Sequence, residues 1–332
     1  MNKLPGQNVT ATHPGKSASL PVGLHWPASD SSHVDETAAA TLKISGADSL
    51  PHSSGRPSSA ALAKQTRLLA GLRKLDSLLV ALSGGADSAY LAWAAHQALD
   101  QRALAVTAIS ASFSAYDRQV TADFVHETGV RHEWIGTLEL ENPLYAANEP
   151  DRCYHCKDEL FRVMESLAQK GGFGAIAYGV NADDTHDFRP GHRAAAEHRV
   201  LAPLLDAALT KMEIRSLARA AGLRVWDRPA SACLSSRIPY GTRVTPELLS
   251  RIDQGEAALR EMGFRQFRVR AYGDLARVEI APEEMPRALA PDVLLEIASR
   301  LRGAGFAYVT LDMEGYRQGS LNEALKIRSR DA

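Results

Sequence analysis

The chain has 332 residues, 45% of them hydrophobic and 23% charged, and its 38 Lys and Arg against 39 Asp and Glu leave a net charge of −1. Such a length carries two domains with a sizeable core, and the balanced charge gives no global pull towards nucleic acid or an anionic membrane. No apolar run is long enough to cross a bilayer, the N-terminus lacks a secretory apolar core, and three cysteines argue against a disulfide framework; a cytoplasmic protein is expected.

Residues 1–60 are rich in Ser, Ala, His, Gly and Pro without a sustained period, which predicts a disordered extension. Order is expected from about residue 61. "ALAKQTRLLAGLRKL" has apolar residues at helical spacing, and "SLLVALS" reads as a strand buried on both faces. "DSAYLAWAAHQAL" predicts a helix, "ALAVTAIS" a second buried strand, "DRQVTADFVHETG" a helix stopped by Gly129, and "RHEWIGT" a third strand. "DELFRVMESLAQKGG" predicts a helix, "GAIAYGV" a strand and "TKMEIRSLARAAGL" a further helix. Strands alternating with helices imply an α/β fold with a doubly wound parallel sheet over residues 61–242. From 243 to 332 the pattern changes to a helix, the antiparallel-looking pair "FRQFRVRAYG" and "LARVEIA", the helix "PDVLLEIASRLRGAG" and the strand "FAYVTLD". This predicts a smaller C-terminal α+β domain for substrate binding or oligomerisation.

The first strand ends abruptly in Ser83-Gly84-Gly85-Ala86-Asp87-Ser88, and a helix follows. Glycines let backbone amides approach an oxyanion, and a helix N-terminus adds unpaired N–H groups and a positive dipole end. Ser83 and Ser88 add hydroxyl donors. Asp87 would repel a bare phosphate, so it is expected to hold Mg²⁺ or orient a neighbour. The bland alternative is a tight turn without a ligand. No Gly-Lys-Ser/Thr follows, so the loop is not a Walker A motif. It resembles the pyrophosphate-binding loop of the ATP pyrophosphatase superfamily. That resemblance implies that ATP adenylylates a carbonyl or carboxylate oxygen, that pyrophosphate leaves into the loop, and that a nucleophile displaces AMP.

Cys153 and Cys156 lie three apart in "PDRCYHCKDELF", and Cys233 stands in "DRPASACLSSRIPYGTRVT", where a doubly wound sheet gathers its loops. Three thiolates suit a [4Fe–4S] cluster with one open iron. Two alternatives stand beside it: a Cys₃His zinc site using His155, and a redox dithiol with an unrelated third cysteine. "GVNADDTHDFRPG" places Asp183, Asp184, Asp187 and Arg189 after a strand, where acids manage Mg²⁺ and Arg189 serves as counter-charge. Ser236 and Arg237 sit beside Cys233, and the Arg237 fork suits phosphate or carboxylate. Arg268 and Arg270 alternate along a strand and share a face. Glu256 and Glu279 are weaker candidates.

SGGADS, RCYHCKDELF, GVNADDTHDFRPG and ACLSSRIPYGTRVT occur in this order and resemble the LarE family of ATP-dependent sulfur transferases. The similarity runs from about residue 65 to the C-terminus and includes FRVRAYGDLARVEI and VTLDMEGYRQGSLNE. It implies conversion of pyridinium-3,5-biscarboxylic acid mononucleotide to its bis-thiocarboxylic form, a precursor of the nickel-pincer nucleotide. It implies catalysis by Cys233, Asp87 and Arg237, and ATP or pyrophosphate binding by Ser83, Gly84, Gly85, Asp87, Ser88, Asp183 and Arg189. Substrate contacts fall to Ser236, Arg237, Arg268 and Arg270. Some members sacrifice the cysteine matching Cys233; others hold a [4Fe–4S] cluster on three cysteines, and Cys153 and Cys156 place this chain with those. ATP, Mg²⁺ and the cluster are the expected cofactors, with an external sulfide donor and a homo-oligomeric assembly. Two other functions remain: a tRNA-thiolating sulfurtransferase, against which the near-zero net charge speaks, and a non-catalytic adenine-nucleotide sensor, in which the cysteines would have no role.

Overall fold

A computed structural model describes residues 56–186, 190–229, 232–317 and 319–321. These lie within one compact unit. The expected extension falls mostly outside the described residues. The first described helix, α1 (Ser59–Leu72), is capped by Ser58, whose hydroxyl accepts from the Ala61 amide at 3.1 Å.

Four strands form a parallel sheet: β1 (Leu78–Ala81), β2 (Ala103–Ile109), β3 (His132–Gly136) and β4 (Ala175–Tyr178), in the order β3-β2-β1-β4. β1 pairs with β2 on one side and with β4 on the other. Leu201 extends the sheet by a single parallel bridge to Ala177. Alternation along β1 explains its unbroken apolar run. Leu78 and Val80 enter one core with helix α2 (Ala86–Leu99) and Phe124 of helix α3 (Ala115–Thr128). Leu79 and Ala81 enter another, whose helical residues Leu160, Phe161 and Met164 come from the long helix after the third strand. Each face of the sheet is therefore covered, as a doubly wound fold requires.

α3 ends at Gly129 in the left-handed region, φ 67°, as the glycine stop predicts. Two short or early elements depart from the sequence pattern. A four-residue helix, α4 (Pro143–Ala146), follows β3. Helix α5 (Arg152–Gly171) begins at Arg152, six residues before the expected "DELF", so Cys153 and Cys156 stand in its opening turns. Residues three apart share a helix face. Helices α6 (Pro190–Glu197), α7 (Pro203–Asp206) and α8 (Lys211–Ala220) complete the region. α8 opens with a full capping box, Thr210 with Glu213.

Helix α9 (Pro246–Glu261) leads to β5 (Phe267–Tyr272) and β6 (Leu275–Ile280), which are antiparallel. Helices α10 (Met285–Ala288) and α11 (Pro291–Gly303) precede β7 (Tyr308–Leu311), parallel to β6. The core of this second sheet also takes in Tyr145 of α4 and Leu234 and Ile238 from the segment after Cys233. That segment thus bridges the two sheets. Among the described residues no helix is long and apolar enough to cross a membrane.

Candidate active site

Strand order reverses at β1, whose neighbours are β2 and β4. Loops leave the C-terminal ends of β1 and β4 in opposite directions there, and such a crevice is where open α/β sheets bind ligands. The Ser83–Ser88 turn occupies one side of it. Ser88 Oγ donates to the Gly85 carbonyl at 3.1 Å and accepts from the Ser83 amide and the Ser83 hydroxyl, each at 3.1 Å. The turn is thus closed by its own hydroxyls. No described side chain caps α2, whose first turn opens on Gly85.

Two glycines make the turn close-fitting. Gly84 has φ 75°, and a Cβ there would stand 2.6 Å from Thr121 Oγ1. Gly179, just past β4, was not singled out from the sequence; a Cβ on it would stand 2.7 Å from Ser88 N and Cα. The end of β4 therefore passes against the first turn of α2 with no room for a side chain. Gly85 has open space beyond Ser83 Oγ at 3.6 Å.

Asp87, in the first turn of α2, accepts from Asn181 Nδ2 at 3.0 Å. Burial raises its pKa above the usual carboxylate value, and the Asn181 bond works against that rise. Asp184 is buried and pairs with Lys211 Nζ at 3.2 Å. Asp183 is turned towards α8, where its carboxylate accepts from the Lys211 amide at 2.8 Å. Arg189 and Asp187 lie outside the described residues.

Cys233 opens the 3₁₀ turn Leu234–Arg237. Three buried arginines from three elements hold the carbonyls of this short stretch. Arg152 of α5 donates to Ser235 O at 2.8 Å, Arg237 to Cys233 O at 3.0 Å, and Arg270 of β5 to Ser236 O at 2.7 Å. The Leu234 amide donates to Ser112 O at 2.9 Å, tying the stretch to the loop after β2. Tyr145 OH and Ser235 Oγ are 2.6 Å apart.

Cys153 is exposed, and Cys156 and Cys233 are half-buried. Burial pushes the Cys156 thiol up to about 12; Lys157 opposes this, while the nearby Cys233, Glu139 and Cys153 add to it. Arg152 Nη2 is 4.0 Å from Cys153 Sγ. Burial disfavours the Arg152 charge, but the facing Cys233, Cys153 and Tyr145 outweigh it and hold the guanidinium protonated. Two of the three cysteines, Cys153 and Cys233, thus face one buried cation. Among the described residues, no three His, Cys, Asp or Glu side chains converge as a ligand group for a metal ion.

The substrate candidates divide by burial. Arg237 makes a fork to Glu256, with Nε–Oε1 at 2.8 Å and Nη2–Oε2 at 2.9 Å. Arg270 makes a like fork to Glu279 at 3.0 and 2.9 Å. Arg268 shares the Arg270 face of β5, as the alternation predicts, but is only half-buried. Burial, and then the Arg237 charge, lower its pKa. An anion beside it would relieve that repulsion.

An α/β protein with a glycine turn at its switch point and a separate cysteine-bearing turn held by buried arginines is the class that fold and site define. No protein-family model matches the chain. It is 32% identical over 266 residues to the pyridinium-3,5-bisthiocarboxylic acid mononucleotide synthase of Lactiplantibacillus plantarum, covering 79% of this chain and 95% of that one. An uncharacterized protein of Synechocystis sp. is 42% identical over 255 residues, 76% of this chain and 94% of the relative. An uncharacterized Methanocaldococcus jannaschii protein is 29% identical over 170 residues, 51% and 66% of the two chains. The chain belongs to the LarE family, the family of the Lactiplantibacillus synthase.

Proposed function

We propose that the protein is an ATP-dependent sulfur transferase that converts the carboxylates of pyridinium-3,5-biscarboxylic acid mononucleotide to thiocarboxylates in nickel-pincer nucleotide synthesis. The observation that carries this reading is the Ser83–Ser88 glycine turn at the switch point of the parallel sheet, in a chain that is 32% identical, over 79% of its length, to a synthase of the bisthiocarboxylic product. ATP supplies the adenylyl group that makes a carboxylate oxygen leave, and Mg²⁺ offsets the phosphate charge.

The chain's own residues divide the remaining work. Amides of the glycine turn and the uncapped start of α2 receive the pyrophosphate. Asp87, oriented by Asn181, is the residue to hold Mg²⁺. Arg268 receives the nucleotide phosphate, with Arg270 and Glu279 setting its strand in place. Arg152, Arg237 and Arg270 fix the backbone that presents Cys233. The donor set fits a cluster in number and kind rather than in convergence: three thiols are present, and Arg152 beside Cys153 and Cys233, with Arg237 beside Cys233, brings the positive charge that thiolate ligands need. A [4Fe–4S] cluster held by Cys153, Cys156 and Cys233 would supply a sulfide nucleophile at its open iron.

Anaerobic purification with iron and sulfide analysis tests the cluster. Each of the Cys→Ser variants at 153, 156 and 233 is expected to lose iron and multiple-turnover thiolation, and the wild-type protein after turnover is expected to show no loss of H₂S from the polypeptide by intact mass. Dehydroalanine at 233 with active Cys153 and Cys156 variants would replace the cluster by a sacrificial Cys233. ADP and phosphate, in place of AMP and pyrophosphate, would overturn the adenylylation.

A further inference from the structure

A Gly-Gly peptide rotates easily, because neither residue restricts it. Its orientation decides whether a bound anion meets an N–H or a carbonyl oxygen. The Gly84–Gly85 peptide is held by a device from a distant part of the chain. The Gly84 carbonyl accepts from Arg228 Nη1, and Arg228 Nη2 pairs with Asp117 Oδ1. Arg228 and Asp117 are 8% and 6% exposed. Asp117 is itself anchored at the start of α3. Its Oδ2 accepts from the Ser114 hydroxyl at 2.6 Å, and its amide donates to the same Ser114 oxygen at 3.0 Å. The Arg228 carbonyl accepts from Arg215 Nη2 at 2.7 Å, and its guanidinium stands over the Tyr116 ring at 5.2 Å.

A trans peptide is planar, with its C=O and the following N–H pointing in opposite directions. No described peptide bond is cis. With the Gly84 carbonyl turned onto the buried Arg228, the Gly85 N–H points the other way, away from Arg228. Rotation of that peptide would aim a carbonyl oxygen at the same place and repel an anion.

We propose that Arg228, oriented by Asp117, is a positioning residue that fixes the Gly84–Gly85 peptide with its N–H outward and thereby sets the affinity of the turn for pyrophosphate. The proposal rests on the ATP reading of the turn and extends it to residues that touch no substrate.

Calorimetric titration of the full chain with inorganic pyrophosphate, in wild type, Arg228→Lys and Asp117→Asn, tests it. Lysine keeps the charge but lacks the planar fork that spans two acceptors, so Arg228→Lys is expected to weaken pyrophosphate binding about tenfold, the scale of one charged hydrogen bond. Asp117→Asn keeps the shape and is expected to weaken it by a smaller factor. KM for ATP should rise in both while KM for the mononucleotide stays unchanged, a split that a loosened fold would not give. If Arg228→Lys fails to fold, Asp117→Asn decides. Wild-type pyrophosphate affinity in folded variants overturns the positioning role and leaves the ATP reading standing. Absence of pyrophosphate and ATP binding in the wild type overturns both.

Discussion

Asn181 donates a side-chain hydrogen to the Asp87 carboxylate over 3.0 Å, joining the loop after β4 to the first turn of α2. Burial raises the Asp87 pKa, and this bond is the chief influence opposing it, because it favours the ionised form. Removing the bond leaves only the weaker influences of Lys211 and Arg215 against burial, so the pKa rises further. With ionised Asp87 as the working form, the acid limb of the pH–rate profile moves to higher pH in Asn181→Ala. One hydrogen bond limits the move to about one pH unit or less. Asp87→Asn removes the ionisable group, and the rate falls by about 100-fold or more. Steady-state AMP release between pH 5 and 9 checks both; an unmoved acid limb in Asn181→Ala removes Asp87 from the titration.

Gly179→Ala tests the packing beneath the turn. Its Cβ would stand 2.7 Å from the backbone of Ser88, and backbone has little room to give way. Overpacking of this kind costs about 1–3 kcal/mol, read as a lowered urea midpoint. Displacing Ser88 also disturbs its bonds to Ser83 and Gly85, so pyrophosphate binding weakens as well. An alanine variant with wild-type stability would show that β4 and α2 separate more easily than their contact implies.

Arg268 and Arg270 share a face of β5 but should fail differently. Arg270→Ala leaves Glu279, fully buried, without its fork and with Arg277 and Ser320 as remaining partners. Breaking a buried ion pair costs about 3–5 kcal/mol, so Arg270→Ala lowers stability first. Arg268→Ala removes a half-buried charge already disfavoured by burial and Arg237. It keeps stability near wild type and raises KM for the mononucleotide. Denaturant midpoints and substrate titrations of the two variants separate the effects; equal midpoints would contradict the division.

Much of the fold is legible because its elements are long enough to show a period. β1, α2 and α3, with the Gly129 stop, follow directly from apolar spacing. α4, α7 and α10 escape that reading because four residues complete no period. Their signal is proline at the helix start, as in Asn142-Pro143. The site is legible where its chemistry is local, in SGGADS and in the cysteines. The early start of α5 is hidden because "RCYH" has no apolar face of its own. Arg228 and Asp117 are 111 positions apart, and their pairing arises only when the fold brings α3 and the 3₁₀ turn after α8 together. Arg152 sits next to Cys153, and that adjacency was the one available hint of its role.

The split of β1 between two cores fixes where the glycine turn stands. Leu78 and Val80 face one layer of helices, and Leu79 and Ala81 face the other. Inserting or deleting one residue within the strand would exchange the faces of every side chain beyond the change. The distance along the chain from Leu78 to Ser83 is therefore quantised. Lineages that vary the helices around this sheet can alter the shape of the crevice, but the turn itself cannot migrate by a single residue without dismantling both layers.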